Sequence, residues 1–432
     1  MRHAFGAASW VATLAMAASA ATLAPAHGAT IRVPADQPTI AAALALAGAG
    51  DTVLVSPGVY AERLEHASGA VLRAAGGAGS VVVDGGGAGA VIECRSPVPG
   101  TAVEGLVLRG GSGQPDGELR IGGAVVVHGG SLRLADVRIE GSSADLGGGL
   151  FCDGARVTWT GGALVSNAGD IGGGWFASGG SLLLHGVEIA GNTARLGGGG
   201  YGSGLAPLEM VSCVCRDNTA LEDGGGLWLA GTGAAINDSR IVSNGAGGRG
   251  GGLRLGPGSL ATLSYSVFAG NTAGAAGGGL DVTCDGPAGP PCAEARLFHV
   301  DLAANRAPQS GAAAVSGAAR IAVEASLVAR NEGGLACLSS QATVDVSCSV
   351  IFSNEISPTR TDCEPVYADT IETDPRLCDL PALDLLRCAN SPLLSPPACG
   401  LPYLGALGAG CGPCGPTPVA FVTWGHLKAR YR

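Results

Sequence analysis

The sequence predicts an all-β right-handed parallel β-helix, a solenoid with three strands per coil and about a dozen coils, on three observations. Asparagine returns as Asn167, Asn192, Asn218, Asn244 and Asn271, at steps of 25, 26, 26 and 27 residues. Glycine triplets keep the same beat, beginning at Gly147, Gly172, Gly197, Gly224, Gly250 and Gly277. Counting back from each Asn exposes two apolar columns. Three positions before stand Leu164, Ile189, Cys215, Ile241 and Phe268; eight before stand Trp159, Leu184, Met210, Ile236 and Leu263. A unit of this length cannot bury its own apolar face and must stack on its neighbours.

Each coil reads as two short strands, a turn at the Asn, a glycine-rich corner and a third strand. Neighbours of the apolar columns alternate with period two, the mark of a strand with one buried face. Stacked asparagines satisfy turn backbone that the corner would otherwise bury, and glycine supplies the positive φ that the corner requires. Ser142 takes the Asn place at the start of the row, and Asn305, Asn331 and Asn354 continue it. Handedness follows the rule for parallel crossovers.

The ends are organised differently. Residues 1–28 read as a secretory signal: Arg2, then an alanine-rich apolar stretch from Val11 to Leu23, then small residues before Gly28. The mature chain is therefore expected to be secreted or held at the cell surface, with no transmembrane span. Residues 29–355 form the β-helix domain, opening with a capping helix. Asp36 is the expected N-cap, and Ile40, Ala43, Leu44 and Ala47 share the apolar face. Residues 356–414 form a Cys- and Pro-rich C-terminal cap, and 415–432 a flexible basic tail.

Composition narrows the function classes. The chain holds 75 Gly, 14% charged residues and a net charge of −10, a balance that opposes helices and excludes nucleic acid as a partner. Ten of 14 cysteines lie between Cys284 and Cys414, so oxidation staples the C-terminal third. The step from Asn271 to Asn305 is 34 residues. Cys284 and Cys292 sit inside the excess and are expected to pinch a bulged loop. Cys411-Gly-Pro-Cys414 lacks the second ligand pair of a zinc ribbon and reads as disulfide cysteines.

The segment IRVPADQPTIAAALALAGAGDTVLVSPGVYAE, from Ile31 to Glu62, resembles the opening of right-handed β-helix proteins of the pectin-lyase-like superfamily. The repeats resemble those of chlamydial polymorphic outer-membrane proteins, which pair a GGA-aliphatic motif with F-x-x-N. Here the matches are Phe268 to Asn271 and GGGL at Gly147, Gly224, Gly250 and Gly277. Enzymes of that superfamily cleave acidic polysaccharides. The resemblance implies either an Arg or Lys base with bound calcium, or Asp residues clustered around a Gly-His-Gly turn. This chain has one lysine, Lys428, and no Gly-His-Gly. No catalytic residue is assigned, and no cofactor or metal ion is expected. His128 and His185 read as solvated strand residues. Asp145, Asp170, Arg195 and Glu222, with Asp223 and Arg249 beside them, read as a surface ion-pair ladder in preference to a calcium site.

The candidate ligand-binding residues lie on the third strand. First and third residues after each triplet look inward, so the second points out: Phe151, Phe176, Tyr201, Trp228, Arg254 and Asp281. Four aromatics in one column stand out in a chain that is 4% aromatic. They form either a stabilising ladder or a platform for sugar rings, with Arg254 and Asp281 hydrogen-bonding hydroxyls or a uronate. The leading functional reading is a binding protein for a glycan or a surface partner, without turnover. The competing one is a polysaccharide lyase or glycoside hydrolase.

Overall fold

One coil shows how the chain winds. Ser181–His185 and Glu188–Ala190 lie on one side, Thr193–Ala194 follows Asn192, and Gly200–Ser203 follows the glycine corner. Every segment pairs in parallel with its counterpart a coil away: Leu184 with Met210, Ile189 with Cys215, and Thr193 with Thr219. Phe176 pairs with Tyr201 in the same way. The result is a parallel β-solenoid of about 14 turns. The computed structural model describes residues 28–284, 292–354, 363, 365–396 and 401–415. The expected signal sequence and basic tail lie outside these residues but for Gly28 and Gly415.

Three sheets line the solenoid, parallel but for one antiparallel pair, Gln114–Asp116 with Leu119–Ile121. The widest has 24 strands in two rows, the sheet after the glycine corner has 11, and a third of eight short strands lies between Asn and triplet. The third sheet occupies a segment where the repeat predicts only a turn. Thr193–Ala194, Thr219–Ala220 and Thr272–Ala273 are two residues each, too short to show a period of two. Both predicted apolar columns are inside, with Trp159, Leu184, Met210, Ile236, Ile189, Ile241 and Phe268 all 0% exposed.

The asparagine row is a continuous hydrogen-bonded spine. Asn218 Nδ2 donates to Ile189 O at 2.9 Å and to Asn244 Oδ1 at 3.0 Å. Its Oδ1 accepts from Asn192 N and Asn192 Nδ2, both at 2.9 Å. The pattern runs from Asn167 to Asn354. A shorter hydroxyl row stiffens the bend five residues earlier, where Ser239 N donates to Ser266 Oγ and Val300 N to Ser326 Oγ. The triplets return with the asparagines because the two touch. A Cβ on Gly199 would lie 2.5 Å from Gly226 O and 3.2 Å from the Asn218 amide, so adjacent corners stack only without side chains.

The helix spans Ile40–Leu46 and buries Ile40, Ala43 and Leu44. Its N-cap is Thr39, not Asp36. Thr39 Oγ1 accepts from Ala42 N, while the Glu62 carboxylate accepts from Ile40 N and Ala41 N at 3.0 and 2.9 Å. Asp36 instead closes the preceding turn by accepting from Arg32 N at 2.8 Å. The carboxylate at the helix start comes from another segment, which local sequence cannot show.

Val366–Ala368 adds a last strand to the widest sheet. The chain then turns back along the solenoid's side. Leu377, Leu385, Leu393 and Leu404 pack on Val242, Val267, Ala269, Ala303, Leu327 and Ala329, which face outward from successive coils. Arg387 and Asp301, both 0% exposed, pair beneath this layer through Nη2–Oδ1 at 2.8 Å and Nη1–Oδ2 at 3.2 Å.

Cys284 is bonded to Cys292. Cys411 and Cys414 bridge to Cys378 and Cys388 respectively, locking the returning segment onto itself; Cys337 bridges to Cys363. Cys94, Cys152, Cys213 and Cys215 are free and buried. Burial pushes the Cys94 and Cys215 thiols up to about 12, and those of Cys152 and Cys213 upward as well. Because the thiolate is the reactive form, these four should resist a thiol reagent at pH 8 in the native protein and react fully once denaturant is added. Labelling of any of them in the native state would contradict their placement. Among the described residues, no helix is long and apolar enough to cross a membrane.

Candidate functional site

The outward column of the eleven-stranded sheet aligns as its register requires. Phe151 pairs with Phe176, Phe176 with Tyr201, Tyr201 with Trp228, Trp228 with Arg254 and Arg254 with Asp281. The rings stack: centroids are 5.4, 5.4 and 4.4 Å apart, with interplanar angles of 5°, 4° and 23°. The Arg254 guanidinium continues the pile, 5.9 Å from the Trp228 ring centre. Such stacking follows from parallel pairing in register, which sets equivalent side chains roughly 4.8 Å apart.

Two unlike rows flank the rings. On one side Leu146, Ile171 and Leu196 lead into the glycine corner, with Leu146 packing against Phe151 and Phe176. On the other, Asp153, Ser178 and Ser203 pair in register two residues beyond the rings. The ladder thus runs between an apolar row and a row bearing hydroxyls.

Exposure along the column is uneven, which corrects part of the expected site. Phe151 is 6% exposed and closed over by Ile121 and Leu146, and Asp281 is 0% exposed. Neither offers a surface to a ligand. Phe176, Tyr201 and Trp228 are half-buried, and burial pushes the Tyr201 hydroxyl's titration upward. Arg254, expected at the accessible end, has a side chain only 14% exposed because it is drawn into an ion cluster.

That cluster ends the ring column. Arg254 pairs with Asp223 and approaches Asp281 at 3.6 Å; Arg249 Nε lies 3.9 Å from Asp281, and Arg249 N donates to Asp223 Oδ1 at 2.7 Å. Asp223 and Arg249 come from the row preceding the triplets, and Arg254 and Asp281 from the aromatic column. The sequence showed both rows turning charged after Leu196 and Trp228 but not that they meet across the corner.

The remaining candidates are spread over the surface. Arg195 joins Asp170 at 2.9 Å and Glu222 at 3.0 Å, while Asp145 accepts from Arg120 N at 2.7 Å. This is an ion-pair ladder of small energetic weight. His128 lies 4.0 Å from Asp153 and His185 3.8 Å from Glu209, at separate places on the outside. The sulfurs of Cys378, Cys388 and Cys411 cluster because two disulfides sit side by side.

No family model matches the chain, and no curated protein does. Among solved structures it is similar to the mannuronan C-5 epimerase AlgE6 A-module of Azotobacter vinelandii. The TM-score is 0.32 at 15% identity, covering 78% of this chain and 93% of that one. A likeness of this size carries no argument about activity.

Proposed function

We propose that this is an exported protein that binds a glycan, or a glycan-bearing surface partner, along the ring column of Phe176, Tyr201 and Trp228, without turnover. The observation that carries the reading is the ladder's setting: a stack of half-buried rings between an apolar row and the hydroxyls of Ser178 and Ser203. A sugar presents an apolar face and hydroxyl edges, so its apolar face can lie across the outer edges of the stacked rings while its hydroxyls meet the polar row. Several disulfides support export to an oxidising compartment. Right-handed winding and a capping role for the Ile40–Leu46 helix belong to the same reading.

The convergence of Asp223, Arg249, Arg254 and Asp281 beside the rings favours a second reading, cleavage of an acidic polysaccharide. Against it, each carboxylate there already faces a guanidinium, and arginine stays protonated at neutral pH. The test is the mature protein on a glycan array beside an assay for new reducing or unsaturated ends from pectin and alginate. Retention of a glycan without new ends is expected. Release of ends would establish the enzymatic reading instead, and no retention would overturn the glycan reading.

A further inference from the structure

Beyond the rings, toward the N-terminal end, the same outward column turns acidic. Phe151 pairs with Val126, Val126 with Glu93 and Glu93 with Glu65. Beside these carboxylates lies a cavity of about 390 Å³, lined by Glu65, His66, Ser68, Glu93 and Arg95, within the size range of small-ligand sites. Glu93 is two coils from Phe151, roughly 10 Å at the strand spacing.

The polar groups of this cavity are not all spent on the fold. His66 is 1% exposed, and its Nε2 lies 3.0 Å from Ala102 O. A carbonyl only accepts, so Nε2 carries the proton and Nδ1 the lone pair. Burial lowers the ring's basicity and keeps it neutral. Among the described residues, His66 Nδ1 and Ser68 Oγ, both buried, have no partner, and a buried polar group left unpaired costs free energy that a ligand can recover. Two carboxylates face one guanidinium, Arg95, which is 72% exposed and pairs with Glu93 at 2.5 Å. Acceptors and negative charge therefore prevail, and the matching ligand is rich in donors and carries positive charge. A metal ion does not suit the site, because the donor atoms of Glu65, His66 and Glu93 do not converge within 4.8 Å of one another.

We propose that this cavity is an outlying subsite for the glycan that lies on the rings, reached across the covered stretch at Val126 and Phe151, and holds an amino-sugar unit, whose hydroxyls and protonated amine donate to His66 Nδ1, Ser68 Oγ and the carboxylates of Glu65 and Glu93. The inference rests on the ring-binding reading and gives it a substrate class: a glycan bearing amines rather than uronates.

Calorimetric titration with the dimer and hexamer of β-1,4-linked glucosamine, with cellohexaose and with hexagalacturonate tests it. The dimer should bind the wild-type chain and the Tyr201→Ala/Trp228→Ala variant alike, and bind Glu65→Gln/Glu93→Gln about tenfold or more weakly. The hexamer should be weakened by either double variant, cellohexaose should bind less well, and hexagalacturonate should not bind. Undiminished dimer binding by Glu65→Gln/Glu93→Gln, no dimer binding by the wild-type chain, or a preference for hexagalacturonate would each overturn the subsite. If hexamer binding depends on Tyr201 and Trp228 but not on the glutamates, the subsite fails and the ring-binding reading stands. If the dimer depends on the glutamates and no oligomer senses the rings, the ring-binding reading fails and the subsite stands.

Discussion

Asn218→Ala should destabilise the solenoid by about 3 kcal/mol or more, the sum of leaving several buried polar groups unpaired at about 1–3 kcal/mol each. The residue is 0% exposed, and its side chain makes four hydrogen bonds along the spine and a further one to Cys215 Sγ. Its loss takes the side-chain partner from Asn192 N, one of two acceptors from Asn192 Nδ2 and a donor from Ile189 O, all in the preceding coil. Asn218→Asp should be worse, because a carboxylate cannot donate to Ile189 O or Asn244 Oδ1 and would be a buried charge without a partner. Asn218→Ser should recover part of the loss, since Ser142 holds the equivalent place and accepts from Gly111 N at 3.2 Å. Urea unfolding of the three variants gives the order. A serine variant no better than alanine would contradict the spine's role.

Removing one partner of the Arg387–Asp301 pair should cost about 3–5 kcal/mol, because the other charge is left buried alone. Asp301 Oδ1 also accepts from Ala406 N at 3.0 Å, and Arg387 Nη2 reaches Leu404 O at 3.3 Å. The pair therefore ties the returning segment at two places. For Arg387→Met the expected result is selective: the segment lifts from the wall and is cut by protease early, while the solenoid unfolds near its original midpoint. The Cys378–Cys411 and Cys388–Cys414 bridges remain in this variant, so the released piece stays closed on itself. Replacing both partners, as Asp301→Leu/Arg387→Met, should restore much of the docking, since apolar replacement of a buried pair is often neutral. Unchanged protease resistance in Arg387→Met would contradict this account.

The core was legible because each apolar column is sampled once per coil and the period-two alternation around it never slips. Trp159, Leu184 and Met210 look unlike one another alone, yet their spacing places them in one row. Missing was what depends on neighbours across coils. Gly200 stands where other coils carry an inward leucine because the Trp175 indole fills its space, and a Cβ there would meet that ring at 2.0 Å. The docking wall has its own signal in the sequence: from Val242 onward the outward residues of the second row become Val, Ala and Leu, with Asp301 among them, instead of Glu and Arg. The returning segment itself is irregular, and nothing in its spacing says which face receives it.

The candidate site was legible as a column but not as a surface. Register follows from the repeat, so Phe151, Phe176, Tyr201 and Trp228 had to align. Cover does not, because Ile121 closes over Phe151 from another sheet and Arg254 bends toward Asp223 across the corner. The accessible part narrowed to Phe176, Tyr201 and Trp228 for reasons that lie between strands rather than along them.

Binding and thermal stability measured together on Tyr201→Ala/Trp228→Ala test the central claim most directly. Both side chains lie outside the inward core columns, so the fold should persist with a lowering of only a few degrees, in line with cross-strand pairs worth about 0.2–1 kcal/mol each. Retention of the glycan bound by the wild-type chain should disappear. A variant that melts far lower yet binds that glycan as before would show the rings to be a stabilising ladder and would contradict the claim that the ring column is the binding face.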